Sequence, residues 1–248
     1  MVQTSRQNLK RWLVRPLYKL FNKTVLRLSS YLLGNARLQF RVTTIKDILI
    51  ERAKQQSADY VEQHMPSALC FNRREELWEY ALQKITAPGT FAEFGVWKGN
   101  SINWFARNRP QEKWLGFDSF EGLSEDWAGW ELSKGAFNLH GRLPVVENNV
   151  ELIKGWFEQT IPTFLARTGP NGFSFIHLDS DTYGAAQCVL ALIKPHLQTG
   201  TVIVFDEYFG YPGWRQGEFL AWHEFVDCHK LKYEYLGFSN EEVAVRLL

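Results

Sequence analysis

From about residue 90 onward the chain alternates short apolar runs with longer stretches of helical periodicity. Thr90–Phe94, Trp114–Phe117, Phe173–Leu178 and Thr201–Phe205 are too short for helices and rich in aromatic and β-branched residues, so they read as buried strands. Ser101–Asn108, Trp156–Arg167 and Ala185–Leu197 supply helices between them. This alternation predicts an α/β fold: a doubly wound, mainly parallel, seven-stranded sheet covered on both faces. Lys232–Phe238 and Val243–Leu248 read as a closing antiparallel pair.

Before Pro88-Gly89 the periodicity is helical, with segments at Thr44–His64 and Arg73–Lys84. The pattern divides the chain into a helical N-terminal extension, 1–85, and a sheet domain, 86–248. At the start of the extension Arg11, Arg15, Lys19, Lys23 and Arg27 recur every four residues, while Leu13, Leu17, Leu20, Phe21, Leu28 and Leu32 take other faces. A basic amphipathic helix, broken near Pro16, is expected. Three roles compete for it: peripheral contact with an anionic membrane, a lid or homo-oligomer contact, and a solvated charged face.

Composition narrows the class. A chain of 248 residues, 45% hydrophobic and 15% aromatic, suits one α/β domain with added elements and argues against disorder. The formal charge of +1 conceals an asymmetry: residues 1–46 hold ten Lys and Arg and no Asp or Glu, so the rest is acidic. Basic charge confined to one end disfavours a nucleic-acid partner. Cys70, Cys188 and Cys228 are odd in number, far apart and not in a Cys-x-x-Cys arrangement, which argues against a disulfide framework or a zinc site. No apolar run reaches the roughly 18 residues of a membrane span, and no signal-peptide pattern is present, so a cytoplasmic protein is expected.

Candidate chemistry collects at strand ends. After the first strand, Glu93-Phe94-Gly95-Val96-Trp97-Lys98-Gly99-Asn100-Ser101 must turn sharply into a helix. Gly95 and Gly99 permit close backbone approach, and Ser101 stands near the helix start. The spacing is not G-x-G-x-x-G, which disfavours a dinucleotide cofactor. Glu93 is placed to bind the amino group of an amino-acid-like ligand. Asp118 ends the next strand, where related folds bind ribose hydroxyls; an N-cap is the plainer role. Two later strands end in Asp179-Ser180-Asp181 and Asp206-Glu207. If Asp179, Asp206 and Glu207 converge, their repulsion needs a cation, and hard oxygen ligands suit Mg²⁺ or Mn²⁺. Asp181 is then available as a general base. His177 reads as a core or supporting residue, and His223 as acceptor-facing or packed. The aromatic run Tyr208–Trp214 reads either as a flap over the acceptor or as loop packing.

The Glu93–Ser101 string resembles the first motif of the macrocin O-methyltransferase family, and Phe117-Asp118-Ser119-Phe120-Glu121-Gly122-Leu123 resembles its second. Val150–Phe157, with Gly155 and Trp156, is similar to the segment that places the adenine. Leu178–Tyr183 and Val204–Tyr208 resemble the metal-site motifs. The resemblance runs from Thr90 to the C-terminus with the motifs in family order. It implies a Rossmann-like fold and Mg²⁺-dependent methyl transfer from S-adenosylmethionine to a hydroxyl, often on a natural-product sugar. It further implies that Glu93 and Ser101 contact the methionine moiety and Asp118 the ribose. Gly95, Val96, Gly99 and Ser119 fall within its cofactor motifs. Asp179, Asp206 and Glu207 would hold the metal, with Asp181 as base. Glu207 stands where the family more often has Asp, and residues 1–85 match no motif, so the acceptor lies outside the resemblance.

Two other classes compete. Asp179-Ser180-Asp181 after an apolar strand also fits the Asp-x-Asp of a metal-dependent nucleotide-sugar glycosyltransferase; Glu93 and Asp118 on earlier strands argue against it. A non-catalytic scaffold anchored at a membrane surface by the basic N-terminus is the third reading. The full set of acids argues against that one.

Overall fold

The computed structural model describes residues 44–168 and 172–248. The basic helix expected around residues 11–32 lies outside the described residues. Among the described residues, no helix is long and apolar enough to cross a membrane.

Among the described residues, eight strands form one sheet: β1 (Leu69–Phe71), β2 (Thr90–Phe94), β3 (Trp114–Asp118), β4 (Val150–Lys154), β5 (Phe173–Leu178), β6 (Val202–Phe205), β7 (Tyr233–Ser239) and β8 (Glu242–Leu247). Their order is β1-β7-β8-β6-β5-β2-β3-β4. Only β8 opposes its neighbours, pairing antiparallel with β6 and β7, so the mainly parallel sheet with a C-terminal antiparallel strand is as expected. The eighth strand was not expected. β1 adds to the edge in parallel with β7, and three residues with Leu69 and Cys70 exposed carry no alternation to reveal it.

Among the described residues, six α-helices accompany the sheet: α1 (Ile45–His64), α2 (Arg74–Gln83), α3 (Asn100–Asn108), α4 (Phe157–Thr168), α5 (Tyr183–Ile193) and α6 (Glu218–His229). Two apolar cores lie on its two faces. One joins Ala53 and Tyr60 of α1 and Ile161 of α4 to Val189 of α5, Trp222 of α6, Phe94, Leu178 and Phe205. The other joins Leu77 and Trp78 of α2 and Phe105 of α3 to Trp114, Phe175 and Val204. The segment grouped by sequence with an N-terminal extension thus gives β1 and α2 to the same body. Phe105 anchors the second core, its ring 4.8–5.4 Å from those of Trp78, Trp104, Trp114, Phe175 and His177.

Strand order reverses between β5 and β2. From β2 the chain moves outward to β3 and β4; from β5 it moves the other way through β6. Open α/β sheets bind ligands at such a point, outside the carboxyl ends of the strands. Gly95, Asp118, Asp179 and Asp206 all stand there.

Candidate active site

A cavity of about 750 Å³ opens above these strand ends, in the size range of cofactor sites. Gly95, Val96, Ser101, Asp118, Ser119, Gly155 and Trp156 line one part, and Asp179, Asp181, Asp206 and Glu207 another. Trp97, Trp127 and Phe137 add an aromatic wall, the last two from the long segment between β3 and β4. Glu125 in that segment accepts a hydrogen bond from Gly184 N at 2.9 Å, anchoring it to the start of α5.

The turn after β2 lines the cavity and is also held by the protein itself. At Gly95 (φ 95°) a Cβ would lie 1.6 Å from the carbonyl oxygen of Asp179, so glycine permits the β2 and β5 turns to touch. Asp118 Oδ2 accepts from Val96 N and Trp97 N, both at 2.8 Å, and Oδ1 accepts from Phe120 N at 2.6 Å. These bonds leave one Oδ1 lone pair unused. Gly99 (φ 79°) packs near Val146 and Pro144 instead of lining the cavity.

Glu93 is fully buried beneath the cavity floor. It accepts a hydrogen bond from Ser101 Oγ and lies 3.4 Å from His177 Nδ1. Burial raises its carboxyl above the usual range, and His177 and Ser101 oppose that rise. His177, also fully buried, has Nε2 3.4 Å from Asp206 Oδ1. Burial alone would lower its pKa, but Asp206 and Glu93 more than offset this and hold it well above the ordinary value. It supports these acids and does not line the cavity.

The acids divide differently from the sequence-based grouping. Ligand oxygens of Asp179, Asp181 and Glu207 all lie within 4.8 Å of one another. Asp206 Oδ1 instead pairs with Arg74 Nη2 and faces His177, while Arg74 Nε lies 2.7 Å from Glu242 Oε1. Burial would raise Asp206; His177 and Arg74 hold it below the carboxylate range. Asp179, Asp181 and Glu207 are pushed well up, first by burial and then by neighbouring carboxylates. The arrangement fits a hard divalent cation: three acids repel at short range, and Glu207 Oε2 is buried with no hydrogen-bond partner.

Two participants escaped the sequence reading. Arg74 sits at the start of a charged helix with no motif, and Asp206, its partner, is 132 residues away. Glu218 opens α6, fully buried, with a pKa pushed up to about 7 by burial despite hydrogen bonds from Ser180 and Glu207. No local signal marks either one. The run Tyr208–Trp214 is packing: Tyr208, Phe209, Tyr211 and Trp214 are buried in the core and do not line the cavity. His223 bonds Tyr60 and Tyr208 away from the cavity.

Strand order and the cavity at the switch point define a Rossmann-like α/β fold with a ligand site at the carboxyl ends of its strands. A family model described as a methyltransferase domain matches residues 92–208. Mycinamicin III 3''-O-methyltransferase of Micromonospora griseorubida is 26% identical over 222 residues, covering 78% of this chain and 83% of that protein. The 8-demethyl-8-(2,3-dimethoxy-alpha-L-rhamnosyl)-tetracenomycin-C 4'-O-methyltransferase of Streptomyces olivaceus is 27% identical, covering 55% and 60%. The structure of CalS11, calicheamicin methyltransferase, shares the fold, with a TM-score of 0.56 at 21% identity over 84% of this chain and 95% of that one. Residues 92–208 thus match a methyltransferase domain, and the chain is similar to O-methyltransferases over most of its length.

Proposed function

We propose that the enzyme methylates a sugar hydroxyl of a glycosylated natural product and that a divalent cation, Mg²⁺ or Mn²⁺, is required. The observation that carries the metal requirement is the convergence of Asp179, Asp181 and Glu207, with Glu207 Oε2 buried and without a partner. Asp179 and Glu207 belong both to this cluster and to the sequence-based ligand set, and we assign them to the metal. Asp206 has Oδ1 engaged by Arg74 and His177, so its share would come through Oδ2. The sugar acceptor rests on the relatives, one of which is named for a rhamnosyl-tetracenomycin.

The bound cation would lower the pKa of the acceptor hydroxyl and orient it. Asp181, held at φ 63° in the turn after β5, then takes the hydroxyl proton. The acceptor oxygen forms its bond to the methyl carbon as the carbon–sulfur bond breaks, and S-adenosylhomocysteine leaves. Ser101, Asp118 and Trp156 position the donor, so that much of the remaining acceleration is alignment.

A panel of glycosylated acceptors with methyl-labelled S-adenosylmethionine tests this reading. Labelled product is expected with Mg²⁺ and none with EDTA. Asp181→Asn should keep Mn²⁺ binding while turnover falls about 10²–10⁴-fold. Metal-independent turnover removes the cation from the mechanism, and loss of Mn²⁺ binding in Asp181→Asn moves that residue from base to ligand.

A further inference from the structure

We infer that Glu218 is a positioning residue that holds the two acidic turns in register and so sets the affinity of the metal site. The inference rests on the metal reading above. Glu218 is the first residue of α6, lies outside the cavity lining and is fully buried. Its Oε1 accepts from Ser180 N at 3.0 Å and Ser180 Oγ at 3.1 Å. Its Oε2 accepts from Glu207 N at 3.3 Å. Ser180 lies between Asp179 and Asp181 in the turn after β5, and Glu207 follows β6. One carboxylate therefore ties together the backbones that present all three clustered acids.

The chemistry calls for an acid here. All three neighbouring groups are donors, so a carboxylate satisfies both turns at once. A glutamine would set its amide N–H against one of these donors and release that turn. A fourth buried carboxylate beside Asp179, Asp181 and Glu207 is unfavourable in itself; the three hydrogen bonds offset the penalty, and a cation would relieve it. Outer contacts of this kind usually govern metal affinity by 10–100-fold.

The test is Mn²⁺ titration of the purified full-length protein by electron paramagnetic resonance, with S-adenosylhomocysteine binding measured by calorimetry. Glu218→Gln should weaken Mn²⁺ about 10-fold or more while S-adenosylhomocysteine still binds. In turnover the Mg²⁺ concentration for half-maximal rate should rise more than kcat falls. Ser180→Ala removes one of the three bonds, so it should act in the same direction but less, and it carries the test if Glu218→Gln does not fold. In the folded double variant the two losses should not simply add, because Glu218 and Ser180 belong to one hydrogen-bond network. Wild-type Mn²⁺ affinity in Glu218→Gln, or in Ser180→Ala should that be the folded variant, overturns this inference alone. A wild type that binds no Mn²⁺ overturns the metal reading and this inference with it.

Discussion

At Gly95 a single missing methyl decides whether two strand-end turns can meet. A side chain there would overlap the Asp179 carbonyl and would be strained at the positive φ of this turn. Gly95→Ala should therefore cost about 3 kcal/mol or more, combining overpacking with backbone strain. Urea unfolding would measure the loss, and Mn²⁺ affinity should fall with it because Asp179 is displaced. A stable Gly95→Ala protein with intact metal binding would show that the turns do not need this contact. Glycine at this position was legible in the sequence, but its reason was not. The pattern pointed to ligand approach; the structure adds a backbone oxygen 84 positions later as a neighbour, invisible to any local reading. Asp206 is the parallel case. Its place at a strand end was evident, yet its pairing with Arg74 depends on where α2 docks.

Among the elements, α1 is fastened to the sheet domain by a polar knot. Tyr235 on β7 has its hydroxyl 2.6 Å from that of Tyr60 on α1, 2.8 Å from Tyr208 and 3.0 Å from Tyr233. His223 Nε2 on α6 bonds Tyr60 at 3.0 Å and Tyr208 at 3.1 Å. Tyr235→Phe removes the central hydroxyl and leaves its neighbours short of partners, at a cost of about 1–3 kcal/mol. The loss should appear in urea denaturation, with kcat unchanged because no member of the knot lines the cavity. A change below about 0.5 kcal/mol would mean the hydroxyls find other partners. Strands β2, β3, β5 and β6 were legible because complete burial leaves a short continuous apolar signature. β1 was not, because it is short, on the edge and mostly exposed.

For the whole molecule, the buried acids should make stability depend on pH and on metal together. Burial raises Asp179, Asp181, Glu207 and Glu218, the last to about 7, and His177 is also raised. The folded protein then holds more protons than the unfolded chain above the ordinary carboxylate range. Stability conferred by these groups is complete below about pH 4 and is lost as pH rises through the folded values. Asp206 is lowered and acts oppositely, but only in acid. Metal-free protein should therefore lose Tm from pH 5.5 to 8, and Mg²⁺ should restore more of it at each higher pH. A Tm that is flat in pH and insensitive to Mg²⁺ would contradict both the raised acids and the cation.

Composition and pattern by themselves determined the α/β class, the parallel core strands and the acids at their ends, because periodicity and burial are local properties of a segment. Family motifs carried the methyl donor for the same reason: short strings such as Glu93–Ser101 keep their meaning wherever the chain places them. Only tertiary structure decided how the acids divide, with Asp181 beside Asp179 and Glu207, and Asp206 turned to Arg74 and His177. It alone brought Glu218 under both turns. Apart from the Asp179–Asp181 pair, these are contacts between residues 11 to 132 positions apart, and their energies depend on distance and burial, which exist only once the sheet has been assembled.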